Sequence, residues 1–324
     1  MRKYIDLHCD TLSRLFCEPA LGNLFENNCQ VDIKRLAADG CCAQIFACFV
    51  EKTDFSGISV WDDGYAYAGY LLDLFDKEMS ENKETIGRIL KAEDILTNES
   101  EGKLSAIVSV EEGGILNGDI KRIDALYKRG VRLMTLTWNF ENCIGYPNSN
   151  DANIMARGLK GFGFEVLERM NDIGMIIDVS HLSDGGFYDV AQYARKTGIP
   201  FVASHSCARA LTEHPRNLTD DMLKLIGDTG SVAGVNFFHE FTTDTGFSDV
   251  ESIVRHTVYM IDKAGEDAVC IGSDFDGIDD SLEISGTEKM PLLFDGLKKA
   301  HLREAVIDKI CYGNAMRLFK TILQ

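Results

Sequence analysis

Five short stretches of this chain hold side chains able to bind metal ions and move protons. They are His8-Cys9-Asp10, Glu111-Glu112-Gly113-Gly114, Asp178-Val179-Ser180-His181, Ser204-His205-Ser206 and Ser273-Asp274-Phe275-Asp276-Gly277. Imidazole and carboxylate donors together suit Zn²⁺, Mn²⁺ or Fe²⁺. His8 and Asp10 are two residues apart, and on a strand such residues point to the same side, so they can hold one ion together. His181 and His205 can hold a second ion, and a carboxylate such as Glu112 can bridge the two. Two neighbouring metals lower the pKa of a shared water and polarise a carbonyl oxygen. Asp274 is then left to shuttle the proton.

These groups need a frame that brings them together. Eight short runs rich in apolar and β-branched residues read as strands: Tyr4–Cys9, Ala43–Phe49, Leu104–Val110, Arg132–Thr137, Met175–Val179, Pro200–Ser204, Ser231–Asn236 and Ala268–Ser273. Their near-continuous apolar character suits strands covered on both faces. Amphipathic helical stretches lie between them, clearest at Trp61–Met79, Ile120–Arg129, Gly158–Ile173, Asp184–Thr197, Asp220–Gly227 and Ser248–Ala264. Ser183 and Thr219 read as N-caps, and Gly130, Gly198 and Gly265 follow basic residues as helix stops. Strand and helix alternating about eight times predicts a (β/α)8 TIM barrel, one domain over residues 1–324. A doubly wound sheet is the alternative, but the first strand–helix junction has no Gly-rich phosphate loop. Glu51–Gly64 and Asp279–Pro291 read as long loops.

On this frame all five groups fall at the C-terminal ends of predicted strands, the face on which barrel active sites lie. Each group alone is ordinary. An H-x-D at a strand end is usually only polar, a buried histidine is usually a hydrogen-bonded core residue, Gly113-Gly114 can be a tight turn, and Asp274 can cap one. Their coincidence on one face carries the reading. His256 and His301 fall within predicted helices, as surface or packing residues, and His239 follows the seventh strand near the mouth of the site. Arg216 has a guanidinium fork that matches a carboxylate.

Composition removes other classes. With 33 Lys and Arg against 51 Asp and Glu, the formal charge of -18 disfavours nucleic acid and anionic membrane surfaces. No apolar h-region follows the start, and no 18-residue apolar run exists, so a cytoplasmic protein without a membrane anchor is expected. The ten cysteines are scattered with no C-x-x-C pair, which suits reduced thiols rather than a disulfide framework or a zinc ribbon.

The motifs, in order along nearly the whole chain, resemble the renal (membrane) dipeptidase family, metallopeptidases of the amidohydrolase-like barrel group. The matching pieces are 6–10 (DLHCD), 112–114 (EGG), 133–137 (LMTLT), 177–181 (IDVSH), 204–206 (SHS), 215–218 (PRNL), 272–277 (GSDFDG) and 313–319 (GNAMRLF). The resemblance implies a zinc-dependent dipeptidase with two divalent metals acting through a metal-bridging hydroxide. His8, Asp10 and Glu112 would hold one ion, and Glu112, His181 and His205 the other. Asp274 would be the acid/base, and Arg216 would clamp the substrate carboxylate. It further implies tolerance of a D-residue at the C-terminal position, and a homodimer. One position departs: Trp138, followed by Asn139, stands where renal-type members carry a substrate-contacting histidine. An indole only donates, so Trp138 or Asn139 is expected to contact substrate in its place. Hydrolysis of another small carboxylate-bearing amide is the alternative substrate reading, and a catalytically silent metal-binding relative is the alternative of another class.

Overall fold

The computed structural model describes residues 2–51 and 60–324. Nine strands are present among them: β1 (Tyr4–Cys9), β2 (Cys41–Phe49), β3 (Ile86–Arg88), β4 (Leu104–Glu111), β5 (Val131–Thr135), β6 (Ile176–Asp178), β7 (Val202–Ala203), β8 (Val232–Val235) and β9 (Val269–Ile271). Eight of them match the eight apolar runs. All pair in parallel, in the order β2-β1-β9-β8-β7-β6-β5-β4, and a β2–β4 ladder from Ala43↔Ser105 to Phe49↔Glu111 closes the ring. The result is a (β/α)8 barrel surrounded by helices. The short β3 was not foreseen. It pairs only with the first residues of β4, upstream of the β4–β5 ladder, and three residues carry no readable period.

The two faces of each strand divide the core. Ile5, Leu7, Ile45, Ile107, Leu133, Ile176, Val202, Val232 and Cys270 fill the barrel interior. The intervening residues Phe46, Val108, Val110, Met134, Ile177 and Ala203 pack outward under the helices. The helix Asn314–Ile322 supplies Leu318, Phe319 and Ile322 to the inner cluster. Burying several such side chains at ~1.5–3 kcal/mol each is the main force holding this arrangement.

Helix ends follow the expected chemistry. Ser183 Oγ accepts from Gly186 N and Thr219 Oγ1 from Met222 N, while Gly198 ends its helix in the left-handed region at φ 74°. The predicted helix at Trp61–Met79 is Val60–Glu81. Within the predicted loop Glu51–Gly64, residues 52–59 lie outside the described residues, and the part from Val60 is helical. All ten cysteines are free thiols.

Candidate active site

The strand ends deliver their polar side chains to one point. His8 Nε2 lies 3.2 Å from Asp10 Oδ2, 3.2 Å from Glu111 Oε2 and 3.7 Å from Asp274 Oδ1. On the other side of the same carboxylate, Glu111 Oε1 lies 3.1 Å from His181 Nε2 and 3.5 Å from His205 Nε2. The two histidine nitrogens are 3.0 Å apart. His8, Asp10, His181, His205 and Asp274 are therefore gathered as the sequence suggested, but Glu112 is not with them.

Glu111, not Glu112, stands between the histidines. The reason is the period of the strand. Ser105, Ile107 and Ser109 share one parity on β4, and Ile107 faces the barrel interior, so Glu111 points the same way. Glu112 leaves the strand at φ 113°, and its carboxylate turns back onto the chain. Its Oε1 accepts from Gly114 N and Asn142 Nδ2, both at 2.5 Å, and its Oε2 accepts from Trp138 N at 3.0 Å. Counting alternation from Ile107 would have chosen Glu111; the adjacent glycine pair pointed to the wrong carboxylate.

Behind the cluster, buried carboxylates fix its orientation. Asp178 Oδ1 accepts from Ser180 N at 3.0 Å and Ser204 N at 2.9 Å, and its Oδ2 accepts from Thr135 Oγ1 at 2.8 Å and Ser204 Oγ at 2.6 Å. The Ser204 hydroxyl hydrogen is thus committed to Asp178. Ser204 Oγ, 2.7 Å from His205 Nδ1, must accept from it. His205 therefore carries its hydrogen on Nδ1 and turns the Nε2 lone pair into the cluster. Asn139 Oδ1 does the same for His181, accepting from Nδ1 at 3.0 Å while Asn148 Nδ2 donates to that oxygen at 3.3 Å. Asp6 accepts from Ser273 N and Oγ at 2.9 and 2.5 Å, tying β1 to the strand end that carries Asp274. Asn236 Nδ2 donates to Asp274 Oδ2 at 2.8 Å. Of these supporting residues, Asp6, Asp178, Ser180, Ser204 and Ser273 lay in the motif stretches without a role of their own, and Asn139 was expected as a substrate contact.

Two nitrogen lone pairs and a carboxylate oxygen converging within 3.5 Å repel one another unless a cation lies among them. Asp10 Oδ1 is buried with no partner. Both features fit a divalent metal, and His8–Glu111–His205 and His8–Asp10–Asp274 each bring three ligand atoms within 4.8 Å of one another. The protonation behaviour reflects the same crowding. Burial is the largest influence on Asp10 and Asp274, pushing them up to about 6 and about 7. Burial, reinforced by the Arg216 charge, pushes His181 down to about 3, and His205 is also held well below its usual value. For Glu111, burial acts upward but is overcome by His8 and His181, which hold it well below the usual carboxylate range. His181 and Asp274 both sit in the left-handed region, at φ 67° and 65°. Such strain in non-glycine residues persists where surrounding contacts over-determine it.

Arg216 is 6% exposed, donates to His205 O at 3.0 Å and lies over the Phe241 ring at 5.3 Å. Among the described residues no carboxylate pairs with it. Trp138 packs edge-on against Phe49 at 4.9 Å and lies 6.0 Å from the His181 ring. His239 is instead paired with Asp279 at 3.1 Å, and His256 is buried in loop contacts.

A parallel eight-stranded barrel with imidazoles and carboxylates gathered at the C-terminal strand ends is the architecture of a metal-assisted hydrolase. The particular family follows from comparison: the model of the membrane dipeptidase family, peptidase family M19, matches residues 2–324, and the chain belongs to that family. It is accordingly a dipeptidase of the metallopeptidase type, a hydrolase acting on peptide bonds. Similar proteins include an uncharacterized protein of the pqqA 5' region in Klebsiella pneumoniae, 36% identical over 245 residues, covering 72% of this chain and 88% of that one. An uncharacterized dipeptidase of Schizosaccharomyces pombe is 27% identical over 321 residues, covering 91% of this chain and 73% of that one. A metallopeptidase structure from Rhodobacter sphaeroides, holding a phosphinate mimic of the dipeptide L-Ala-D-Ala, shares the fold at a TM-score of 0.86, with 23% identity and 99% of each chain covered. Among the described residues no helix is long and apolar enough to cross a membrane.

Proposed function

We propose that this protein, acting as one barrel domain over residues 1–324, hydrolyses dipeptides at a two-metal centre, with zinc as the ion best suited to its nitrogen and oxygen donors. The observation that carries this reading is the convergence of His181 Nε2, His205 Nε2 and Glu111 Oε1, with His8 at the other Glu111 oxygen and Asp10 beside His8. Glu111 is the residue that would touch both ions. His8 and Asp10 complete one ligand set, and His181 and His205 the other. When bound, the metals supply an activated water and polarise the substrate carbonyl.

The chain's own side chains do the rest. Arg216, buried without a carboxylate partner, receives the C-terminal carboxylate of the substrate and fixes its register. Trp138 and Asn139 border the substrate space, with Asn139 also holding His181 in place. Asp274, held at Oδ2 by Asn236, has Oδ1 turned toward the cluster. It takes the proton that water loses on attacking the carbonyl carbon and passes it to the departing amine nitrogen as the C–N bond breaks, releasing two amino acids.

The test is hydrolysis of a panel of L,L- and L,D-dipeptides by zinc-loaded protein against a chelated control. The ligand in the Rhodobacter structure is the reason to include D-residues. Chelator-sensitive cleavage is expected, and Asp274→Asn should abolish turnover while metal content stays near that of the wild type. Cleavage of N-acyl amino acids but of no dipeptide would move the substrate to another carboxylate-bearing amide.

A further inference from the structure

Two cavities meet across the cluster. One, of about 430 Å³, is lined by Asp10, Glu111, His181 and Asp274, and on one side by Phe49, Tyr67 and Trp138. The other, of about 340 Å³, contains Arg216 with His214 and Asn148. Asn139, His181, Phe238 and Phe241 border both. Arg216 lines only the second cavity, and Phe49 and Trp138 only the first. A dipeptide anchored by its carboxylate at Arg216, with its peptide bond at the cluster, must extend its first residue into the cavity bordered by Phe49 and Trp138.

The aromatic wall there is fixed before any substrate arrives. The Trp138 backbone N–H is held by Glu112 Oε2 at 3.0 Å, and Glu112 is itself held by Asn142 and Gly114. The indole packs between Phe49, at 4.9 Å and 68°, and Phe140, at 5.6 Å. Both Trp138 and Phe49 remain only partly buried, so apolar surface faces the cavity beside the metal cluster. A partly exposed aromatic pair favours an apolar or aromatic side chain laid against it. It offers nothing to an acidic or amide side chain beyond the single indole N–H.

We infer that Trp138, together with Phe49, forms the wall against which the side chain of the substrate's first residue packs, so that the enzyme favours dipeptides beginning with a large apolar residue. This rests on the dipeptidase reading above and specifies its substrate class. The role left to Glu112 is to position that wall.

The experiment is kcat/KM for Gly–Ala, Ala–Ala, Leu–Ala, Phe–Ala and Glu–Ala, with the alanine in whichever configuration is cleaved faster. The wild type should favour Phe–Ala and Leu–Ala over Gly–Ala by roughly tenfold or more, the scale of burying one such side chain. Trp138→Ala should cut the Phe–Ala to Gly–Ala ratio by about tenfold, mainly through KM, because the contact is made in the ground state and transition state alike. Phe49→Ala should lower the same ratio by a smaller factor, and circular dichroism would establish that both variants fold. A flat wild-type profile, a preference for Gly–Ala or Glu–Ala, or ratios unchanged in both variants would overturn the inference while leaving the dipeptidase reading intact. Failure to cleave any dipeptide would overturn both.

Discussion

Replacing Asp178 by asparagine should weaken metal binding without removing a single metal ligand. In the wild type the Asp178 carboxylate can only accept, so the one hydroxyl hydrogen of Ser204 points to it across 2.6 Å, and Ser204 Oγ accepts from His205 Nδ1 across 2.7 Å. Asp178→Asn keeps shape and volume. Its carboxamide oxygen must stay on the Oδ1 side, because the backbone N–H groups of Ser180 and Ser204 at 3.0 and 2.9 Å cannot turn away. The new amide NH₂ then faces Ser204 and Thr135. Ser204 Oγ accepts from it and swings its own hydrogen to His205 Nδ1. His205 is left with its hydrogen on Nε2, pointing at Glu111 and His181, where a lone pair is needed. Loss of such a supporting partner lowers metal affinity by ~10- to 100-fold, or about 1.4–2.7 kcal/mol. The assay is competition for Zn²⁺ against a chromophoric chelator, with circular dichroism to verify the fold and dipeptide hydrolysis at saturating metal as a second readout. A variant that is folded and binds zinc within twofold of wild type would refute the chain of hydrogen-bond assignments from Asp178 to His205.

The glutamate pair gives a sharp contrast. Glu111→Gln should lower metal content well below two ions per chain, and Glu112→Gln should leave it unchanged; elemental analysis of both variants decides which carboxylate serves the metals. Arg216→Met should raise KM for dipeptides by roughly 30-fold or more, the scale of losing a buried charge partner, and should have little effect on a dipeptide amide that lacks the carboxylate. His256 gives a pH dependence of stability. Its Nδ1 accepts from Ala208 N at 3.1 Å and its Nε2 donates to Thr242 O at 3.1 Å, and burial, then Arg255, hold its pKa down at about 4. Between pH 4 and the ordinary histidine value near 6.5, the unfolded chain binds more protons than the folded one. The contribution is therefore present above about pH 6.5 and lost as pH falls toward 4, by up to about 3 kcal/mol. Urea unfolding across this range should show a shallower pH slope for His256→Gln than for wild type, and equal slopes would remove His256 as the cause.

The frame of this site was legible because its cause is periodic. Each barrel strand is an apolar run covered on both faces, and each leaves its chemistry at the C-terminal end, so counting runs located His8, Asp10, His181, His205 and Asp274. The choice between Glu111 and Glu112 was also legible, in the alternation of β4, but the Gly-Gly motif was followed instead. The supporting shell was harder to see. Asp6, Asp178, Ser204 and Asn236 are polar residues in apolar runs, and nothing local marks which of them meet; Asp6 reaches Ser273 only because β1 pairs with β9, and Asn236 reaches Asp274 because β8 pairs with β9. The role of Asn139 as a partner of His181 rests on a contact 42 positions apart. The β3 strand escaped because three residues carry too little pattern.

The β1–β9 pairing has a consequence for the life of the molecule before it is an enzyme. Asp6 is in register with Ile271, so the first and last barrel strands are direct neighbours. The centre draws His8 and Asp10 from one and Asp274 from just beyond the other. The metal ligands proposed above all lie along β1-β2-β4-β5-β6-β7, so what the seam adds is Asp274 beside His8, and a polypeptide whose last strand has not docked lacks its proton carrier. Joining strands so distant in sequence is intrinsically slow. Activity should thus appear only after the last strand docks, however early the rest of the ring has formed.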